Sequence, residues 1–445
     1  MITTKLISID LHNSLQSLFQ TFKQFIIHFG KSKMNYKLFF LVLSSGFIYA
    51  KTIIVEPNSK DKTLKIAFEQ AEDGDTILVR SGHYKEAELH LNKAVTIIGE
   101  NFPEIDGERK YENLTVESDN VTLIGLLFTN SGQSNFNDIA ALKIKNSKNI
   151  LIQNCRFKNN FFGIHTINSS YISYIGNDLF AEKIAGRASA NGIHIWKSNH
   201  MTLKNNTIKG HRDGIYLEFV KNSHIENNHS INNSRYGIHF MFSHDNLFEK
   251  NEFNGNGAGV AVMYSKRVKM YHNVFAKSWG NAAYGLLLKE IDDSEIFQNS
   301  FENNTTAIYA DGANRIIIKE NNFSKNGWAM KINASSSDAV VDNNNFIANT
   351  FDLATNGSLV VKSLNGNYWD KYEGYDLNRD GIGDIPYRPI TFYSIVIERN
   401  PGALMLFRSF FVKLMDKAEN LIPSLTPENI KDTTPKMKKN KIILS

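Results

Sequence analysis

The sequence predicts an all-β fold, a right-handed parallel β-helix built from coils of about 22 residues. Its first sign is an Asn-containing tetrad that ends in an aromatic residue or isoleucine and recurs at intervals of 22 to 28 residues. The tetrad ends at Phe157, Phe180, Ile208, Ile231, Phe253, Phe275, Phe301, Phe323, Phe346 and Tyr368. So short a unit has no room for a helix and a strand. Equivalent strands of successive coils must therefore stack in parallel.

Asparagine stands two positions before most of these residues and predicts a stack of side-chain amides. The expected members are Asn206, Asn251, Asn273, Asn299, Asn321 and Asn344, with His229 in place of Asn in one coil. Amides in register can hydrogen-bond from coil to coil, and Asn tolerates the bend between two strands.

A glycine followed by a short alternating strand is the second repeated feature. It begins at Gly163, Gly192, Gly214, Gly237, Gly259 and Gly285. Because alternate residues of a strand point to opposite sides, stacking predicts two outward columns. The first column contains His165, His194, Tyr216, His239 and Ala261, and the second contains Ile167, Trp196, Glu218, Met241 and Met263.

The remaining features divide the chain into five parts. Residues 1–50 are predicted to be an N-terminal extension and a secretory signal that truly starts at Met34, since a basic start precedes a short apolar run. Residues 51–115 should form the N-terminal cap, with a short helix over 63–71, and the first coils. The other predicted parts are the β-helix over 116–400, an amphipathic C-terminal helix over 401–422 and a basic flexible tail over 423–445.

Composition excludes several functions. A single cysteine, Cys155, rules out a disulfide framework and any multi-cysteine metal site. The net charge of +5 is concentrated at the two ends, with five lysines against one acid in residues 1–50 and four lysines in 436–441. The body between them is slightly acidic, so we predict no nucleic-acid binding.

The outward columns bring together soft metal ligands. His239, Met241 and Met263 should meet on adjacent coils about 4.8 Å apart, with His194 two coils away. Imidazole and thioether together suit Cu(I). The alternative is a protein-docking surface, since methionine is favoured at adaptable interfaces. A docking face for a copper-carrying protein would satisfy both hypotheses.

A calcium-like loop follows the last coil. Oxygen-bearing side chains at Asp376, Asn378, Asp380 and Asp384 have the spacing of a calcium-binding loop. The twelfth position is Tyr387 rather than Glu, so the bidentate ligand is missing. An Asp- and Gly-rich turn that closes the last coil is the alternative.

The predicted C-terminal helix carries apolar side chains at helical spacing. Among them are Leu404, Phe407, Phe410, Phe411 and Leu414. The helix could cover the last coil, or it could dock onto a membrane-bound partner, with the lysine-rich tail near anionic lipid.

Several segments resemble the NosD family, the periplasmic accessory proteins of nitrous-oxide reductase maturation. The most distinctive are Arg235-Tyr-Gly-Ile-His-Phe-Met-Phe-Ser243 and the segment 367–387, and the similarity extends over about residues 52–437. The resemblance implies a periplasmic scaffold, not an enzyme, that assists assembly of the copper–sulfur centre of the reductase. It also implies copper as a transient cofactor. The implied partners are an ABC-type ATPase and membrane subunit complex, a copper lipoprotein chaperone and the reductase itself.

The rival prediction is a carbohydrate-active β-helix, either a polysaccharide lyase or hydrolase or a sugar-binding protein. Catalysis on sugars needs paired carboxylates on an outward face, whereas the outward columns carry only Glu218. Asp292 and Asp293 adjoin each other, but in a turn. Sugar binding through Trp196 and Tyr216 remains open at this point.

Overall fold

The computed structural model describes residues 50–134, 136–182, 189–421, 426–427 and 430–442. Apart from Ala50, the predicted extension and signal therefore lie outside the described residues. The described chain winds into a parallel β-solenoid of about 14 turns, as predicted. Its strands form a 26-stranded sheet, which contains two parallel stacks, and a separate 13-stranded sheet.

We name the three stacks by position or content. The histidine face consists of Leu89–Leu91, Leu114–Val116, Ala140–Lys145, Phe162–Ile167, Ile193–Trp196, Asp213–Glu218, Tyr236–Met241, Ala258–Met263, Tyr284–Asp292, Thr306–Asn314, Trp328–Ile332 and Phe351–Ala354. The middle face consists of Thr52–Val55, Thr76–Val79, Thr96–Gly99, Thr122–Ile124, Lys148–Gln153, Ser170–Ile175, Thr202–Lys204, His224–Glu226, Leu247–Glu249, Lys269–Tyr271, Glu295–Phe297, Ile317–Lys319, Ser337–Asp342 and Val360–Ser363. The phenylalanine face consists of His83–Tyr84, Glu104–Asp106, Leu127–Thr129, Arg156–Lys158, Asp178–Phe180, Thr207–Lys209, His229–Ile231, Glu252–Asn254, Val274–Ala276, Ser300–Glu302, Asn322–Ser324, Asn345–Ile347 and Tyr368–Trp369.

A continuous ladder of buried asparagines runs inside the solenoid and confirms the predicted amide stack. Its members are Asn177, Asn206, Asn228, Asn251, Asn273, Asn299, Asn321, Asn344 and Asn367. Each Nδ2 donates to the Oδ1 of the next member at 2.9–3.1 Å. The same Oδ1 accepts the backbone N–H of the preceding member, as between Asn228 and Asn251. The coils from Asn177 to Asn367 are thereby each held in register with the next.

In three coils, the residue that points inward at the end of the tetrad lies one position away from the residue predicted from the sequence. The inward positions are Leu179, Ser230 and Trp369 rather than Phe180, Ile231 and Tyr368. The ladder residue of the 230 coil is consequently Asn228 and not His229. His229 instead points outward, where its Nδ1 lies 3.0 Å from the Glu252 carboxylate. In this coil the sequence analysis selected the larger residue, Ile231, whereas the alternation of side chains along the strand places the smaller Ser230 inside.

The N-terminal cap confirms the predicted short helix. Helix α1 spans Leu64–Gln70, and the Thr63 hydroxyl accepts the backbone N–H of Ile66 at 3.2 Å. Leu64, Ala67 and Phe68 are buried against the first coils. The cap covers strand edges that would otherwise be open to another chain.

The C-terminal segment differs from the single helix expected over 401–422. Helix α2, Phe392–Arg399, lies before it, inside the range assigned to the β-helix. A 3₁₀ helix then spans Pro401–Leu406, and helix α3 spans Phe410–Leu421. The break occurs because Arg408 has a φ of 63°, a left-handed conformation that no right-handed helix contains.

The basic tail expected to be flexible is ordered over residues 430–442. Asp432 is fully buried and takes the place of the next amide in the ladder. Its Oδ2 accepts the backbone N–H of Asn367 at 3.0 Å and the side-chain Nδ2 of the same residue at 3.2 Å. It also accepts the indole N–H of Trp369 at 3.0 Å. Asn440 exchanges two hydrogen bonds with Asn345, at 2.8 and 3.0 Å. Lysine-rich composition predicted a solvated tail, whereas the Asp432 side chain and the Asn440 main chain fix it to the last two coils.

Candidate functional site

The predicted histidine column is present on the outer side of the histidine face. His165, His194, Tyr216 and His239 occupy equivalent positions on successive strands. Their rings stack face to face with centroid separations of 4.6 Å, 4.7 Å and 4.6 Å. Stacking covers the rings, so the three histidines are buried although they project outward. The sequence predicted the column but not this burial.

The column contains neutral imidazoles with unused nitrogen atoms. Burial lowers the pKa of His165 to about 4 and that of His194 to about 3, so both rings are neutral at pH 7. Neither ring nitrogen of His194, nor Nε2 of His239, has a hydrogen-bond partner. A buried unpaired nitrogen is costly in a structural core and is the donor that a metal ion needs.

Two methionines lie beside this column in the register that the sequence predicts. Met241 is paired with Met263 on one side and with Glu218 on the other. His239 precedes Met241 by two residues and therefore lies on the same side of the strand. Both thioether side chains are partly exposed, whereas His239 is buried. The structure thus brings His239, Met241 and Met263 together on adjacent strands and keeps His194 two coils away.

A buried ion pair borders His239. The Asp213 carboxylate is fully buried and accepts the Arg235 guanidinium through two hydrogen bonds, one of them from Nε at 2.7 Å. Asp213 Oδ2 also lies 3.8 Å from His239 Nδ1. Burial raises the pKa of Asp213, but the neighbouring Arg235 and His239 outweigh that effect and lower it. Arg235 Nη2 also lies 3.4 Å from His239 Nδ1, so Nε2 is the ring nitrogen of His239 that has no hydrogen-bond partner.

An exposed aromatic stack flanks the methionines and was missed by the sequence analysis. Phe219, Phe242 and Tyr264 immediately follow Glu218, Met241 and Met263, and their centroids stack at 5.1 and 5.0 Å. All three have positive φ values between 50° and 55°, which is unusual for bulky residues. In the sequence, an aromatic residue follows each of three successive members of the second column, and this recurrence could have revealed the stack.

The calcium-like loop is present at the surface, after the last coil. Asp376 accepts the backbone N–H of Gly381 at 2.9 Å, and Asp384 accepts that of Leu377 at 2.7 Å. Gly381 has a φ of 84°, the conformation that a tight loop requires at its sixth position. Asn378 and Asp380 are exposed. Calcium binding remains a prediction.

The C-terminal helices both cover the solenoid and leave an apolar stripe exposed. Val412 and Met415 pack with Tyr393 against Trp328 and Phe351 of the histidine face. The predicted docking residues remain partly exposed, although the Phe407 ring also lies 6.1 Å from that of Phe351. Their exposed fractions are 50% for Leu404, 40% for Phe407, 81% for Phe410, 52% for Phe411 and 53% for Leu414. Among the residues that the structure describes, no helix is both long and apolar enough to cross a bilayer.

Solved structures with a similar backbone are right-handed β-helix proteins. The catalytic unit of a thermostable GH87 α-1,3-glucanase from Streptomyces thermodiastaticus aligns with a TM-score of 0.58 at 12% identity, over 73% of this chain and 69% of that one. A family 28 exopolygalacturonase from Yersinia enterocolitica aligns with a TM-score of 0.52 at 10% identity, over 72% and 79%. Identities this low show the fold alone, and the class is a right-handed parallel β-helix protein.

Sequence comparisons are more specific. A family model described as periplasmic copper-binding protein (NosD) matches residues 181–374, the segment that contains His194, His239, Met241 and Met263. A protein of Stutzerimonas stutzeri named probable ABC transporter binding protein NosD is 25% identical over 320 residues, 68% of this chain and 72% of the relative. Its namesake in Pseudomonas aeruginosa is 25% identical over 174 residues, 38% and 40%. Together these findings support membership of the chain in the NosD family.

Proposed function

We propose that this protein is a periplasmic accessory protein in assembly of the copper–sulfur centre of nitrous-oxide reductase. In this role it receives or relays copper, delivered by a copper lipoprotein chaperone, while it is bound to an ABC-type ATPase and membrane subunit complex. The observation that carries the proposal is the adjacency of His239, Met241 and Met263 on one outer surface. The match to a family described as periplasmic and copper-binding supports it.

The donor set fits copper as cargo. An imidazole whose Nε2 has no hydrogen-bond partner and two thioethers form a soft donor set, which favours Cu(I) over magnesium or calcium. Partial exposure of both methionines leaves the ion accessible to a second protein. The flanking stack of Phe219, Phe242 and Tyr264 offers an apolar rim on which the chaperone can rest.

Competition against a chromophoric Cu(I) chelator tests the site. We expect the His239→Ala/Met241→Ala variant to bind Cu(I) at least about tenfold more weakly than the parent, since even indirect supports of metal ligands contribute that much. His90→Ala/Met405→Ala is the matched control, because it removes an exposed histidine and an exposed methionine elsewhere. Equal affinity in the parent and the first variant would place the copper site elsewhere.

The exposed stripe is our proposed contact with the membrane subunit. Phe410→Ser/Leu414→Ser should abolish co-purification with the ABC-type complex and leave thermal stability unchanged, because both side chains already face solvent. Phe136→Ser, at an apolar residue that is 96% exposed near the other end of the solenoid, is the control. Undiminished co-purification of the double variant would refute this contact. Deletion of 401–445 is a poorer test, since it also removes Asp432 from the end of the ladder.

The carbohydrate alternative receives less support from the geometry. Both faces of the Tyr216 ring are covered, by His194 and His239, so the ring cannot stack on a sugar. Asp213 is committed to Arg235. Lys266 and Arg315 pair in the same way with Asp292 and Asp293. We therefore propose a non-enzymatic role, and release of product from pectin or alginate by the purified protein would contradict it.

A further inference from the structure

A second group of metal-ligand side chains lies on the phenylalanine face, far along the chain from the histidine column. The strand register pairs His83 with Glu104, and Asp106 follows Glu104 by two residues on the same side. One ligand atom from each of these residues lies within 4.8 Å of the other two. His83 is exposed and the two acids are partly buried, so an ion could enter from solvent.

Distances within this group match those around a single ion. His83 Nε2 lies 3.0 Å from Asp106 Oδ2. Two ligands that each lie about 2.1 Å from a tetrahedral ion are separated by about 3.4 Å. The two side chains would therefore move apart by only about 0.4 Å to share an ion.

Neighbouring donors hold one oxygen of each carboxylate, and the other Asp106 oxygen, Oδ2, pairs with His83, a contact that a shared ion would replace. Asp106 Oδ1 accepts the backbone N–H of Glu108 at 2.9 Å and the Asn130 side chain at 3.1 Å. The Thr129 hydroxyl donates to Glu104 Oε1 at 2.8 Å. Such outer hydrogen bonds orient ligands in metal sites.

The charge of the group distinguishes it from a similar one on the middle face. His224, Glu226 and Glu249 are equally close together, but there the Lys204 ammonium lies 2.9 Å from Glu226 and offsets the negative charge. Within the part of the chain that the structure describes, no lysine or arginine nitrogen lies within 4.0 Å of the Glu104 or Asp106 carboxylates. Lys204 therefore offsets part of the charge of the group on the middle face, whereas no lysine or arginine of the described residues does so at Glu104 and Asp106.

We propose that His83, Glu104 and Asp106 bind a divalent cation of the Zn²⁺ class and thereby tie two adjacent coils together near the N-terminal cap. One imidazole and two carboxylates form a mixed nitrogen and oxygen donor set, which suits Zn²⁺ better than Cu(I). The site lacks thioether ligands, so it is chemically distinct from the one proposed on the histidine face.

Calorimetric titration of the full chain with Zn²⁺ tests this site, with His239→Ala/Met241→Ala as the background to remove the other donors. The background protein should bind Zn²⁺, and adding His83→Ala/Asp106→Asn should weaken that binding at least about tenfold. Adding His224→Ala/Glu249→Gln, at the group that contains Lys204, should leave it unchanged. No Zn²⁺ binding by the background protein, or unchanged binding after His83→Ala/Asp106→Asn, would overturn the proposal. Neither result bears on the Cu(I) competition.

Discussion

The asparagine ladder and the buried histidines are two ways of placing polar groups in the same solenoid. Each amide from Asn177 to Asn344 donates to the next member of the ladder, and Asp432 completes the series. His165, His194, His211 and His239 are as inaccessible, yet each retains a ring nitrogen without a partner. A fully paired stack stabilises the fold, whereas unpaired nitrogens cost stability. The difference directs the search for function to the histidines.

The largest expected effect comes from breaking the paired stack. Asn251→Ala should lower the free energy of unfolding by about 3–5 kcal/mol, because it removes the acceptor of the buried Asn228 backbone N–H and three further hydrogen bonds of the Asn251 side chain within the ladder. Denaturant unfolding measures this loss. Asn254→Ala, three residues further along the chain and partly exposed, is the control and should change the value by less than about 0.5 kcal/mol. A loss below 1 kcal/mol at Asn251 would contradict the importance of the ladder.

An intermediate effect is expected from converting an unpaired histidine into a paired amide. His211 is equivalent to Asn233 of a second, shorter amide stack; its Nδ1 lies 2.8 Å from the Ser189 hydroxyl, Nε2 has no partner, and burial lowers its pKa to about 4. The unfolded chain, with an ordinary histidine pKa near 6.5, binds more protons between pH 4 and 6.5, so stability falls as the pH falls through that window. His211→Asn should remove a dependence of up to about 1.4 kcal/mol per pH unit.

Thermal or denaturant unfolding of the parent and His211→Asn between pH 4 and 7.5 measures this difference. The two curves should diverge as the pH falls, with the variant the more stable protein at pH 4.5. Parallel curves would show that His211 is not the buried neutral group described above.

The smallest effect is expected at the calcium-like loop, whose oxygens are exposed and bonded only within the loop. At a Ca²⁺ concentration ten times the dissociation constant, binding should stabilise the protein by about 1.4 kcal/mol. The thermal midpoint should rise with Ca²⁺ and fall again with a chelator, and Asp376→Asn/Asp380→Asn should abolish the rise. No response of the parent to Ca²⁺ would leave the loop as a turn that closes the last coil.

The sequence predicted the repeat and the outward columns because stacking makes neighbours of residues one coil apart. His239, Met241 and Met263 accordingly fall where the spacing places them. The ladder was predicted only in part. Asn177 and Asn228 precede the inward residues Leu179 and Ser230, which are smaller than their outward neighbours Phe180 and Ile231, and Asn367 precedes Trp369, whose neighbour Tyr368 was selected instead. A pattern based on residue size cannot detect a coil whose largest side chain points outward.

Features that depend on contacts between coils could not be predicted in the same way. Stacking of Tyr216 on both neighbouring histidines makes the column inaccessible, and no property of a single strand shows this. Composition likewise indicated a solvated tail, because Asp432 and Asn440 are single residues among lysines. Their role depends on the unsatisfied end of a ladder more than 60 residues earlier, at Asn367.

The position of Asp432 has a consequence for biogenesis. Residues 430–442 follow every coil in the sequence, so a ribosome makes the coils first and their closure last. Until then, Asn367 and Trp369 would present unpaired N–H groups on an open strand end, a surface on which another nascent chain could pair. A chain interrupted before residue 432 would therefore be prone to self-association during export, and quality control has a chemical feature by which to distinguish it from a finished molecule.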